Sequence, residues 1–407
     1  MTASPLNTAK SSATGSGSGL GMAVAGMMLI AATYGMARFG VGLFAPYLAA
    51  ERPELIEVLG LAAAAQFIAY SVAAVVAARL VDLHPRTGLV LAGATGTLGC
   101  LGVAVASDPV FFIASVIIGG MGGGFASPAL VPVIDAMVAA RATATAQSVV
   151  NTGTGVGVIG AGVVAFIAPS IESAWLLMGL FTAAAATAVI YPLRGRAIHP
   201  PKSPAPAGAK LAWSVLLVPG IAAVVAGIGS ALIWTFGPIL ITDSGAVSAD
   251  HVGSLWIALG VGGLLGSFTG ALVAGAGQHG GWFIAASALA LASGLLAWSW
   301  QSQSPWLAYA SMALFGAGYM ALSGVLILWA RNEWPQHAGA GTSVLFIALA
   351  TGQAIGSAGF GAAQGSANPV LLAILAACLC LAGGGVATIG TWIRSAKRCS
   401  AGWPRSG

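Results

Sequence analysis

Apolar residues in this chain come in long blocks separated by short polar or proline-bearing breaks. The blocks cover residues 20–48, 56–79, 88–107, 109–134, 143–168, 172–192, 212–241, 252–275, 281–300, 305–330, 339–363 and 367–393. About twenty helical residues cross the hydrocarbon of a bilayer. The pattern therefore predicts an all-α membrane protein with twelve transmembrane helices. Residues 1–19 are polar and low in complexity and read as a disordered cytoplasmic tail. The apolar run behind them is longer than a signal-peptide core and reads as a signal anchor. The longest polar stretch between blocks, "RGRAIHPPKSPAPAGAK", is rich in proline and acts as an extended spacer. It divides the chain into two six-helix bundles, 20–193 and 212–393, with a cytoplasmic linker at 194–211 and a cytoplasmic tail at 394–407.

Composition fits that pattern. The chain is 58% hydrophobic and 6% charged, with a mean hydropathy of +0.93, whereas soluble domains are about a quarter charged. The 59 glycines suit close helix packing in lipid. Placing the amino terminus in the cytoplasm puts every Lys and Arg outside the spans except Arg52 on the inner side, with Glu51, Glu54, Glu57, Asp108, Glu172, Asp243 and Asp250 outside. Basic residues stay inside, so a multi-pass protein of the cell membrane with both termini cytoplasmic is expected. This sorting and contact with anionic membrane lipids account for the net charge of +5; nothing points to a nucleic acid.

Weak internal repeats connect the two halves. "GMGGGFASP" from Gly120 parallels "GAGYMALSG" from Gly316, and "RFG" at Arg38 parallels "TFG" at Thr235, at a near-constant offset. Together with the two bundles and the central loop, these features resemble the major facilitator superfamily over almost the whole chain. "AARLVDLHPRTG" is similar to that family's motif between helices two and three: Leu80, Asp82 and Arg86 match, while Ala78, Leu83 and Pro85 depart from it. The corresponding "GALVAGAGQHG" keeps Gly270 and Leu272 but has Ala274 in place of the acid. Within the superfamily, "ARFGVGLFAPYL" and "QSVVNTGTGVGVIGAG" look most like the YbfB-like bacterial permeases. Asp82 and Arg86, with Asp135 near the inner end of helix four, form a candidate cytoplasmic gate, a latch that opens as the bundles tilt. A solvated loop obeying the positive-inside rule is the alternative.

The most informative single residue is Arg38. It lies well inside the first block, where a charge costs about 2.5–3.5 kcal/mol on insertion scales. Tyr34 and Gly42 share its helix face, so it is a candidate substrate contact for an anionic or strongly hydrogen-bonding solute; snorkelling to the interface is the structural alternative. Gln66, Tyr70, Asn151, Trp234, Trp256, Tyr319 and Gln353 form a second tier, joined by Thr154, because polar or aromatic groups inside spans face a wet cavity or another helix. In the superfamily the cavity is lined mainly by helices one, four, seven and ten, which the resemblance extends to these positions. Trp175, Trp282, Trp306 and Trp392 read as interface anchors.

No acidic residue or histidine falls at the centre of a block, and the helix-four arginine often associated with proton antiport is replaced near Ser115 by "ASVIIGGMGGG". A proton remains a candidate coupling ion only through Asp135 or Asp82 near the inner mouth. The chain lacks a P-loop. The glycines of "GTGVGVIGAG" lie in an apolar helical block without a preceding strand, so no cofactor is expected. Cys100, Cys378, Cys380 and Cys399 imply neither disulfide nor metal. The expectation is a non-enzymatic, monomeric secondary transporter of a small organic solute, leaning to efflux of a metabolite or drug. Nutrient uptake, and a transporter-like sensor or scaffold, are the alternatives.

Overall fold

The computed structural model describes residues 15–80, 84–195, 213–335 and 338–401. It is helical along nearly all of this length. α1 (Gly15–Ile30) passes into a π-helical stretch, Ala31–Arg38, followed by α2 (Gly40–Leu43), α3 (Ala45–Glu51) and α4 (Pro53–Ile56). Then come α5 (Leu59–Leu80), α6 (Pro85–Val105), α7 (Pro109–Met137), α8 (Thr143–Ile167) and α9 (Ile171–Ile190). After the linker follow α10 (Leu217–Asp243), α11 (Val252–Gly266), α12 (Thr269–Ser302), α13 (Pro305–Glu333), α14 (Ala338–Ala363) and α15 (Pro369–Ala401).

Among the described residues, eleven helical stretches are long and apolar enough to cross a bilayer. The predicted block at 252–275 departs from the simple pattern. α11 has 15 residues, a length of roughly 22 Å at the α-helical rise. Ser267 and Phe268 interrupt it before α12 begins, and α12 itself turns at Gly277, whose φ of 67° suits glycine. Helix begins at Gly15, inside the stretch read as a tail, and α15 runs to Ala401, beyond the predicted end at 393.

The helix faces show what solvent they are built for. α5 exposes Leu61, Ile68, Val72, Val75 and Val76, while Gln66, Tyr70, Ala73 and Ala77 are buried. That is the reverse of a water-soluble helix: the large aliphatic groups face outward and the polar ones inward. Trp306, at 81% exposure, fits its expected place at the periphery. Trp175 and Trp282 do not: both are buried, and the Trp282 indole donates to the Gly383 carbonyl at 3.0 Å. Bundle packing claims them because neighbouring helices surround their ends of the span. The side chain of Trp392 lies outside the described residues.

α5 and α6 pack on α7, α6 on α9, and α1 on α8; beyond the linker α10 packs on α14 and α15, α12 on α13 and α15, and α11 on α13. These two groups meet along α8 with α11, α5 with α14, and α2 and α3 with α10. The loops, short helices and helix starts at one end carry Glu51, Glu54, Glu57, Asp108 and Glu172; the opposite end carries Arg79, Arg86, Arg141 and Arg194. They are called here the acidic and basic ends. At the acidic end, Arg52 donates to the carbonyls of Val103, Ala104 and Ala106 at 3.1, 2.8 and 2.8 Å, capping α6. Next to it, Glu51 accepts the Ile171 N–H at the start of α9 at 3.4 Å. Each charge thus meets the helix terminus of opposite polarity.

Contact between the two groups is closest between the centre and the acidic end. A β-carbon on Gly42 would lie 2.0 Å from the Trp234 carbonyl oxygen, so only a residue without one lets α2 and α10 touch here. Gly60 meets Gly361, and Gly162 meets Gly253, in the same half of the molecule. On α8 the last such crossing toward the basic end is Gly155 against Leu264. Asn151, one turn further, is exposed.

Candidate functional site

Arg38 ends the π-helical stretch. The Phe39 N–H donates to the Tyr34 carbonyl, five residues back, at 3.2 Å, and so closes the wide turn. π-turns recur at functional sites. Nothing in the hydrophobic pattern of the segment signals this one. The small residues Ala31, Ala32, Gly35 and Ala37 allow close neighbours: a β-carbon on Gly35 would fall 2.4 Å from the backbone of Gly157 on α8.

The Arg38 side chain does not reach the interface; it is buried, with 5% exposure. Its Cζ lies 3.9 Å from the centroid of the Tyr70 ring, 5.0 Å from Phe67, 5.2 Å from Phe39 and 5.5 Å from Tyr34. Four rings around a guanidinium are a favourable setting, each worth about 0.5–2 kcal/mol depending on desolvation. Rings, however, do not accept the guanidinium's hydrogen bonds. Nε of Arg38 is buried without a partner, and no acceptor among the described residues takes a bond from the group. The Tyr34 hydroxyl donates to that of Tyr70 at 3.1 Å, fixing two walls of the cage.

A second cluster adjoins the first through Phe39, which stacks on Trp234 at 3.8 Å between centroids and 13° between planes. Around Trp234 stand Tyr319 at 5.0 Å, Phe315 at 5.3 Å and Trp256 at 5.8 Å, all edge to face, the arrangement that aromatic quadrupoles favour. Gln353 donates through its amide nitrogen to the Tyr319 hydroxyl at 3.2 Å. A cavity of about 10 Å³, bordered by Thr154, Val158, Trp234, Leu259, Tyr319 and Met320, lies beside this cluster. It is about large enough for one water molecule.

Arg38, Tyr34 and Tyr70 therefore come together in one group and Trp234, Trp256, Tyr319 and Gln353 in the other. Gln66 stands apart in purpose: its amide nitrogen lies within 3.3 Å of the Ala37 carbonyl and 3.5 Å of that of Val116, tying α5 to the neighbouring backbone. Asn151 is exposed on α8 outside both groups. Of the candidate gate residues, Asp82 lies outside the described residues. Arg86 donates to the Leu193 carbonyl, and Asp135 is exposed near the end of α7. Phe39, Phe67 and Phe315 are the additions the structure makes. Phe67 is three residues from Tyr70 and Phe315 four from Tyr319, so helical spacing from the polar candidates would have found both.

The profile of the Major Facilitator Superfamily matches residues 27–357. The chain belongs to this superfamily. No curated protein sequence matches it. Among solved structures it is similar to a D-xylose-proton symporter, at 16% identity and a TM-score of 0.72, covering 90% of this chain and 95% of the other. It is similar also to the xylose transporter XylE from E. coli in an inward-open conformation, at 15% and 0.69, covering 88% and 93%. The nucleoside transporter NupG matches at 12% and 0.66, covering 93% and 98%. At such identities the likeness concerns the fold.

Proposed function

We propose that this superfamily member is a secondary transporter of a small organic solute, with twelve crossings in two bundles that rock around the Arg38 and Trp234 groups. The observation that carries the proposal is the joining of those groups across the contact between the halves, through Phe39 on Trp234. A solute seated there touches both halves, and its release requires their relative motion. The sorted charges support a place in the cell membrane with the basic end and both chain termini in the cytoplasm. On that orientation the conformation is closed outward.

The aromatic walls with one fixed charge suit a moderately hydrophobic solute, and for that reason export is the direction we favour. Uptake is the second reading, supported by the sugar and nucleoside transporters among the structural neighbours. Proton coupling, as named for the xylose symporter, would run through carboxylates near helix ends, such as Asp135, because none of the described ones lies mid-span. Asp82, Arg86 and Asp135 retain their proposed part in an inner gate, and the protein works as a monomer. Purified protein in liposomes, given candidate solutes on one side, tests the proposal. Solute-dependent flux that Arg38→Ala abolishes supports it; binding without flux would make the protein a sensor instead.

A further inference from the structure

Three buried donors at the centre lack a hydrogen-bond acceptor: Nε of Arg38, Nε1 of Trp234 and Nε1 of Trp256. Buried donors in proteins are nearly always paired, and a charge in the span normally has a counter-charge. Neither is supplied among the described residues. Every described carboxylate lies near a helix end or in a loop, and so do the other described Arg and His residues except His279, which follows the turn of α12 at Gly277. The centre is thus short of acceptors and carries a single unbalanced positive charge.

We propose that the solute is a monovalent organic anion with a flat apolar body, its carboxylate-like group held by Arg38 and its body lying along Phe39, Trp234 and Tyr319. This rests on the transporter reading for its consequence but not for its recognition chemistry. A carboxylate matches the planar fork of the guanidinium and supplies the acceptor that Arg38 lacks. One anionic charge balances the site. A dianion would bring a second charge with no cation to meet it, and a neutral solute would leave the arginine uncompensated. Phe39 and Trp234 cover each other at 3.8 Å in this conformation, so the flat body takes their faces as the halves part, a stacking surface that hydrated sugars do not need.

The unpaired Arg38 guanidinium carries a cost that a bound anion removes, and this yields a test that separates a binding arginine from a structural one. Full-length protein is compared with Arg38→Met and Arg38→Lys by thermal unfolding and by ligand-induced shift, with benzoate, benzamide and phthalate as probes. Met fills a similar volume and packs well against rings, and replacing an uncompensated buried charge with an apolar group is commonly neutral or stabilising. The expected result is a Tm for empty Arg38→Met no lower than that of the parent. Benzoate should stabilise the parent at concentrations at least tenfold below those needed for benzamide or phthalate, and should leave Arg38→Met unshifted. Arg38→Lys, which keeps the charge but loses the fork, should bind benzoate at least tenfold more weakly than the parent.

A marked fall in Tm for both variants, with benzoate shifts preserved, would make Arg38 structural and overturn the proposal. Preferential stabilisation by benzamide, or no shift with any probe in folded parent protein, would overturn it as well. Flux in liposomes is read separately: benzoate binding without benzoate flux would sink the transporter reading and leave the anion site standing. Flux of neutral solutes unaffected by Arg38→Met would do the opposite.

Discussion

The two halves of this chain reach the centre with different chemistry on related positions. In the first, Arg38 is wrapped by Tyr34, Phe39, Phe67 and Tyr70. In the second, Trp234, which precedes the Thr235 that the repeat sets opposite Arg38, is wrapped by Trp256, Phe315 and Tyr319. The tyrosines have changed helices as well. Tyr34 stands on the first helix of its half and leans on Gly123 of α7, whereas Tyr319 stands on α13 at the position matching Gly123 and pairs with Gln353. One half therefore offers charge and the other offers surface. On the proposed transporter reading, such a division would let one half set which charge is accepted while the other sets which shape is.

The comparison can be broken most directly by exchanging what each half offers. Arg38→Ala should lower solute flux by about a hundredfold, as expected when a buried charge contact worth about 2–3 kcal/mol is lost. Trp234→Leu should cost roughly tenfold and loosen shape selection while leaving the charge preference intact. Equal losses of both kinds in both variants would erase the division of labour. Transport kinetics over a series of solutes of differing charge and ring size would decide it.

A smaller effect is expected where the halves touch. Gly42→Val puts a branched side chain against the Trp234 carbonyl, an overpacking of about 1–3 kcal/mol, so flux should fall several-fold while the charge preference persists. A changed charge preference in that variant would mean that the seal and the site are one unit. The least effect belongs to the hydroxyls. Tyr34→Phe removes the bond to Tyr70 but keeps the ring beside Arg38, and Gln353→Leu removes the partner of Tyr319. Each should cost about 0.5–1.5 kcal/mol, read as a small fall in Tm. A larger loss of binding from Tyr34→Phe than from Trp234→Leu would show that the hydroxyl itself contacts the solute.

Much of the architecture was legible in the hydrophobic blocks, since bilayer thickness fixes helix length and leaves a strong period-free signal. It failed where that signal is shared: the break at Ser267 and the turn at Gly277 sit among small residues that look the same in a helix and in a bend. Arg38, Trp234 and Tyr319 were visible as polar or aromatic letters in an apolar context. Their relation was not, because stacking of Phe39 on Trp234 joins residues far apart in sequence, and the repeat hinted only at their correspondence. Gln66 shows the limit of the same logic. An amide in a span satisfies itself as readily on backbone carbonyls as in a cavity, and letters do not say which. Trp175 and Trp282 failed for a related reason: nearness to a helix end says nothing about which way a ring faces.

The π-helical stretch Ala31–Arg38 ties aim to residue count. In an α-helix one residue is worth about 100° of rotation. Rewinding the stretch as ordinary α-helix with its residue count unchanged would swing α1 relative to Arg38 by about that angle. Deleting one residue as the ordinary turn reforms would instead keep the azimuth, because the wide turn holds one residue more than an α turn. Two homologues differing here by one gap would therefore aim the same arginine at the same wall.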